Sequence, residues 1–136
     1  MRVVVQEELA LRTGEDVVRL RQAVRERAVA AGFGLVDQTK IVTAAELARR
    51  NTVHYGGGGK ARIAEVAAES RKGLRLEFVD EGPGIADIQQ ALRDGFTTGS
   101  GLGLGLSGAK RLSDEFEIES EPGRGTRVAI VRWKPF

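Results

Sequence analysis

Cysteine is absent from this chain and histidine occurs once. The first absence excludes a disulfide framework and a thiolate metal site, and the second leaves an all-protein zinc site short of ligands. Its chemistry should rest on oxygen and nitrogen ligands. Also missing is any apolar run near the ~20 residues that span a bilayer, and the start MRVVVQEELALR lacks the long apolar core of a signal peptide. The expectation is a soluble cytoplasmic protein without a membrane partner. Strong charge of one sign is lacking as well: the formal net charge is +2, with both signs interspersed. A broad nucleic-acid-binding face is therefore not expected. One local exception is the set Arg12, Arg19, Arg21, Arg25 and Arg27, which crowds the first helical pattern as either a solvated face or a partner-docking surface.

What is abundant is glycine, 18 of 136 residues, gathered mostly in four clusters between well-patterned segments. Glycine is costly inside helices and strands, so such clusters mark turns or close backbone approach to a ligand. RVVVQEELAL reads as a strand. TGEDVVRLRQAVRERAVAAGFG reads as a helix, with Val17, Leu20, Val24 and Ala28 at spacings of three and four and Gly32 as its stop. Asp37 is placed to cap a second helix, QTKIVTAAELARRNTV, which YGGGGKA ends. ARIAEVAAES and LRLEFVDE form a hairpin pattern around RKG; GPG opens a loop toward a short helix near IADIQQALRDG. A helix over LSGAKRLSDEF and a last hairpin, FEIESE and TRVAIVRWK around PGRG, follow. The order predicts a single α+β domain over residues 1–136, a two-layer sandwich of a mixed, mostly antiparallel sheet with helices on one face. At this length the chain buries roughly two thirds of its unfolded surface, enough to fold alone.

Two familiar phosphate loops fail on the glycines. HYGGGGKA has Ala61 where a P-loop needs serine or threonine for magnesium, and a helix precedes it instead of a strand. GSGLGLG lacks the preceding strand of a dinucleotide fold. Several segments together fit better. Asp80, at a strand end, can accept from an exocyclic amine such as that of adenine. Gly82 and Gly84 let backbone pass close beneath the ring. Asn51 offers a carbonyl oxygen to magnesium, a hard cation. Gly99, Ser100, Gly101, Leu102, Gly103, Leu104 and Gly105 can aim backbone amides at phosphates before a helix. Thr126 adds a hydroxyl near the base.

On these segments the sequence resembles the GHKL family of gyrase, MutL and histidine kinases, the Bergerat fold. ELARRN looks like its N box, DEGPG like its G1 box, GSGLGLG like its G2 box, and GRGT like its last glycine motif. TAAELARRNTVHYGGGG, DGFTTGSGLGLGLSGAKRLSDEFEIES and GTRVAIVRWK resemble the RsbT-type serine/threonine switch kinases of the bacterial stressosome. The resemblance implies a kinase that uses MgATP to phosphorylate a STAS-domain antagonist protein and then activates a PP2C-type phosphatase. By the same resemblance Asp80 would read adenine, Asn51 would hold magnesium, and residues 95–106 would form a short lid. Gyrase-like relatives carry a transducer domain, and histidine kinases a phospho-accepting histidine ahead of the N box; His54 follows it and reads as a surface residue.

One departure stands out. The N-box glutamate of the family sits four residues before the asparagine, whereas Glu46 sits five before Asn51, with Leu47 at the expected position. In a regular helix a four-residue step leaves side chains about 40° apart and a five-residue step about 140°. Glu46 as general base would need a π-bulge; otherwise the base is supplied differently, or transfer is weak. A nucleotide-gated binding module and an anti-sigma factor of the same fold are the alternative functions. Val3 to Val5, a candidate edge strand, leave the oligomeric state open between monomer and sheet pairing.

Overall fold

The computed structural model describes residues 1–50, 52, 57–84 and 105–135. The described elements run β1 (Arg2–Leu11), α1 (Gly14–Ala30), α2 (Leu35–Arg50), β2 (Gly59–Ala68), β3 (Arg71–Asp80), α3 (Gly105–Arg111), β4 (Glu115–Glu121) and β5 (Gly125–Trp133). The five strands form one sheet in the order β1-β2-β3-β5-β4, and every pairing in it is antiparallel. This is the α+β sandwich expected from the sequence.

The helices share one face of the sheet because their apolar stripes do. α1 contributes Leu20, Val24 and Ala28, α2 contributes Ile41, Ala44, Ala45 and Ala48, and α3 contributes Leu106 and Ala109. They meet Ile63, Leu74, Leu76, Phe78, Val128 and Ile130, the inward residues of β2, β3 and β5. Each large aliphatic or aromatic side chain buried there stabilises the fold by about 1.5–3 kcal/mol. The three alanines let α2 lie close to the sheet, between α1 and α3. On the opposite face Glu77 accepts from Arg62 Nη1 at 2.9 Å and from Arg127 Nε at 2.6 Å. A small apolar cluster, Ala64, Val66 and Val131 packed with Trp133, lies on that face too.

α1 starts at a full capping box: the Thr13 hydroxyl accepts from Asp16 N, and Asp16 Oδ2 accepts from Arg12 N and Thr13 N. Those two backbone amides hold the Asp16 carboxyl below the usual range.

Three expectations change. Asp37 does not cap α2. The helix begins at Leu35, Gly34 O already accepts from Gln38 N at 2.9 Å, and Asp37 in the first turn takes a hydrogen bond from Arg132 Nη2 at 2.9 Å. The β2–β3 turn is Glu69–Ser70, with Glu69 at φ 55°, so RKG belongs to β3. Gly73 is a strand residue without a side chain because Trp133 lies against it: a Cβ there would come 2.8 Å from the indole. The last helix ends at Arg111, since Asp114 N donates to Val131 O and its carboxylate accepts from Trp133 N, which starts β4 pairing.

Candidate nucleotide site

Asp80 is the last residue of β3, opposite Gly59 of β2 and beside the start of β5. Three glycines let backbone crowd around it. At Gly125 (φ 96°) a Cβ would lie 2.1 Å from the Asp80 carbonyl oxygen, at Gly59 it would lie 2.0 Å from Val79 O, and at Gly84 (φ 80°) 2.3 Å from Glu121 O. A hydrogen bond from Gly123 N to Pro83 O, 2.8 Å, ties the DEGPG loop to the β4–β5 turn. The two glycine motifs, far apart in sequence, are therefore one structure.

Within it Asp80 is 4% exposed. Its Oδ1 accepts from Gly82 N at 2.9 Å, and its Oδ2 is buried without a partner among the described residues. Burial pushes the Asp80 carboxyl above its ordinary pKa, against the opposing pull of the Gly82 and Thr126 backbone N–H groups. An unpaired buried acceptor costs about 1–3 kcal/mol, so this oxygen is a place for a donor. An exocyclic amine fits it.

Asp80, Gly82, Gly84 and Thr126 are brought together, while Gly105 opens α3. Thr126 takes part differently from the expectation: its backbone N–H faces Asp80, and its hydroxyl is paired with Ser120 Oγ at 2.8 Å. Asn51, Gly99, Ser100, Gly101, Leu102, Gly103 and Leu104 lie outside the described residues, as do His54 and the short helix expected near residues 85–95.

Glu46 faces α1. Arg21 Nε donates to its Oε1 at 2.5 Å and Arg21 Nη2 to its Oε2 at 3.1 Å, while Arg49 Nη2 reaches Oε2 at 2.9 Å. Partial burial raises the Glu46 carboxyl, but the two arginines outweigh it and the pKa falls below the usual range. α2 is α-helical from Leu35 to Arg50, and Thr52, the next described residue, stands in a π-helical turn, so the wider turn that the sequence called for lies at the C-terminal end of α2, beyond Glu46. Leu47 instead packs half-buried against the core. The arginines of α1 carry partners within the chain while Arg12, Arg19 and Arg21 stay exposed. Arg19 pairs with Glu15 and Asp16, Arg25 donates to Gln38, and Arg27 bridges Glu7 and Glu65.

One residue at this end of the sheet escaped the sequence reading. Thr52 is 1% exposed, its hydroxyl has no partner among the described residues, and its carbonyl oxygen accepts from Gly58 N at 2.9 Å, one residue before Gly59. Its signal was a hydroxyl continuing the buried Ile41, Ala45, Ala48 stripe at helical spacing.

Residues 36–135 match the family described as histidine kinase-, DNA gyrase B- and HSP90-like ATPases. The chain belongs to this family. It is 46% identical over 118 residues, 87% of its length and 89% of the relative's, to the serine/threonine-protein kinase RsbT of Bacillus subtilis (strain 168). It is 35% identical over 97 residues, 68% of each chain, to the anti-sigma F factor of Thermoanaerobacter sp. (strain X514). Among solved structures, the mycobacterial sensor histidine kinase MprB superposes with a TM-score of 0.56 at 20% identity, covering 97% of this chain and all of that one. A chain of the SiaB-SiaC complex from Pseudomonas aeruginosa gives 0.55 at 15% identity, with 97% and 91% covered. Both likenesses are of fold. No helix among the described residues is long and apolar enough to cross a membrane.

Proposed function

We propose that the protein is a serine/threonine kinase that uses MgATP to phosphorylate a STAS-domain antagonist protein and switches partners toward a PP2C-type phosphatase. The reading is supported by the 46% identity to a serine/threonine-protein kinase across most of both chains. The observation that carries the nucleotide part is the buried, partnerless Asp80 Oδ2 at the crossing of two glycine loops. In that role Asp80 accepts from the adenine amino group, and the glycines of the DEGPG loop let the ring lie against backbone. Asn51 would hold the magnesium ion, which would supply charge neutralisation at the phosphates. The glycines of residues 99–105 aim amides at the same phosphates.

In the transfer the substrate serine oxygen forms a bond to the γ-phosphorus while the bond to the β–γ bridging oxygen breaks, leaving ADP, and the serine proton passes to a base or, without one, to water. Glu46 entered as the base for the serine proton, yet its carboxylate is engaged by Arg21 and Arg49. Phosphoryl transfer depends chiefly on positioning and electrostatics, so a kinase without a close base is slowed and still works. The Glu46 geometry favours a second reading, a nucleotide-gated binding module with negligible transfer.

One experiment separates them: transfer of γ-labelled phosphate from MgATP to a STAS-domain protein, with Asp80→Asn and Glu46→Gln run beside the native chain. A kinase labels its partner, and Asp80→Asn abolishes labelling. If Glu46 serves only its arginines, Glu46→Gln lowers thermal stability and leaves the rate per folded molecule within about threefold. No labelling, with nucleotide-dependent binding of the same partner, identifies the gated module.

A further inference from the structure

Thr52 has a hydroxyl that no described residue uses. A threonine at 1% exposure ordinarily satisfies its hydroxyl, because a buried polar group without a partner is costly. The chain could have placed valine there at equal volume. Its position is set by two links: Thr52 O holds Gly58 N, and the next residue, Gly59, faces Asp80 across the β2–β3 pairing. The partnerless hydroxyl and the partnerless Asp80 Oδ2 thus belong to one end of the sheet. Thr126, the hydroxyl expected near the base, is already paired with Ser120, which in turn donates to Gly125 O.

Adenine presents an amino donor beside a ring-nitrogen acceptor, N1, on one edge. A carboxylate oxygen answers the first, and a hydroxyl, which both donates and accepts, answers the second. We propose that Thr52 is a second base-reading residue, donating to adenine N1 directly or through one water while Asp80 accepts from the 6-amino group. The inference rests on the ATP-site reading given above. It makes Thr52 a specificity residue: guanine turns a carbonyl oxygen and an N–H toward the same pair, which sets oxygen against the carboxylate and leaves the hydroxyl facing a donor.

The test compares MgATP with its 1-deaza analogue, in which a C–H replaces N1, by calorimetric titration of the native chain, Thr52→Val, Thr52→Ser and Asp80→Asn. A hydrogen bond of ordinary net strength corresponds to about three- to tenfold in affinity. The native chain should bind 1-deaza-ATP more weakly than ATP by that factor. Thr52→Val should lose the same factor for ATP and nothing further for the analogue, and Thr52→Ser should retain native preference. Equal binding of the two nucleotides by the native chain overturns the proposal without any substitution. So does a Thr52→Val loss that is the same for both, which marks a packing defect. If the native chain binds neither nucleotide, the ATP-site reading fails and takes this one with it. If Asp80→Asn abolishes binding while the two nucleotides remain equivalent, the site stands and Thr52 alone is excluded.

Discussion

At the end of β3, burial raises the pKa of Asp80 while the Gly82 and Thr126 N–H groups pull it back. The folded chain therefore holds the Asp80 proton more tightly than the unfolded chain. The stability from that proton is complete below the unfolded carboxylate range and is lost as pH rises through the raised folded value. At neutral pH the ionised side chain costs stability until a donor meets its free oxygen. Asp80→Asn should then leave the melting temperature of the nucleotide-free protein unchanged or raised at pH 7, and reduce its fall between acid and neutral pH. The same substitution should abolish stabilisation by MgATP. An amide has one carbonyl oxygen, which Gly82 N occupies, and it turns an NH2 toward the amine of the base. Thermal scans from pH 4 to 7, with and without MgATP, measure both effects; a surviving nucleotide shift would remove Asp80 from base reading.

Among the elements, α1 depends most visibly on local chemistry. Its capping box satisfies amides at the helix start, and Thr13→Ala should cost about 1 kcal/mol, seen as an earlier thermal transition by circular dichroism. Such a box is short-range, and the sequence displays it as TGED. The apolar stripes of α1 and α2, the β2–β3 and β4–β5 strand pairs and the glycine motifs around Asp80 were legible for the same reason: periodicity and turn chemistry are local. Asp37 and Glu46 were not legible, because their partners Arg132 and Arg21 lie 95 and 25 residues away. The true partner of Gly73 is an indole sixty residues on, and a lone glycine after Arg71 and Lys72 reads equally well as a turn. Thr52 was half-legible: its place on the Ile41, Ala45, Ala48 stripe signals burial, and only the structure exposes the unanswered hydroxyl.

Across the whole molecule, the two open edges of the sheet differ in character. β4, one edge, alternates Glu115, Glu117, Glu119 and Glu121 along its length, a charge pattern that discourages pairing with another strand. β1, the other edge, leaves Val3, Val4 and Val5 exposed. Asp80 stands at one end of β3, and Gly73, seven residues back, stands against Trp133 near the other end. At roughly 3.3 Å per residue the two ends are about 23 Å apart. Trp133 is the sole tryptophan of the chain, with the Arg71 guanidinium 4.2 Å from its ring centroid and its Nε1 donating to Glu115. Its emission should therefore change when the sheet comes apart and stay constant when a nucleotide enters. Denaturant titrations followed at that wavelength should superpose in baseline with and without MgATP and differ only in midpoint, which gives this protein a built-in optical gauge of its stability that bound purine does not quench.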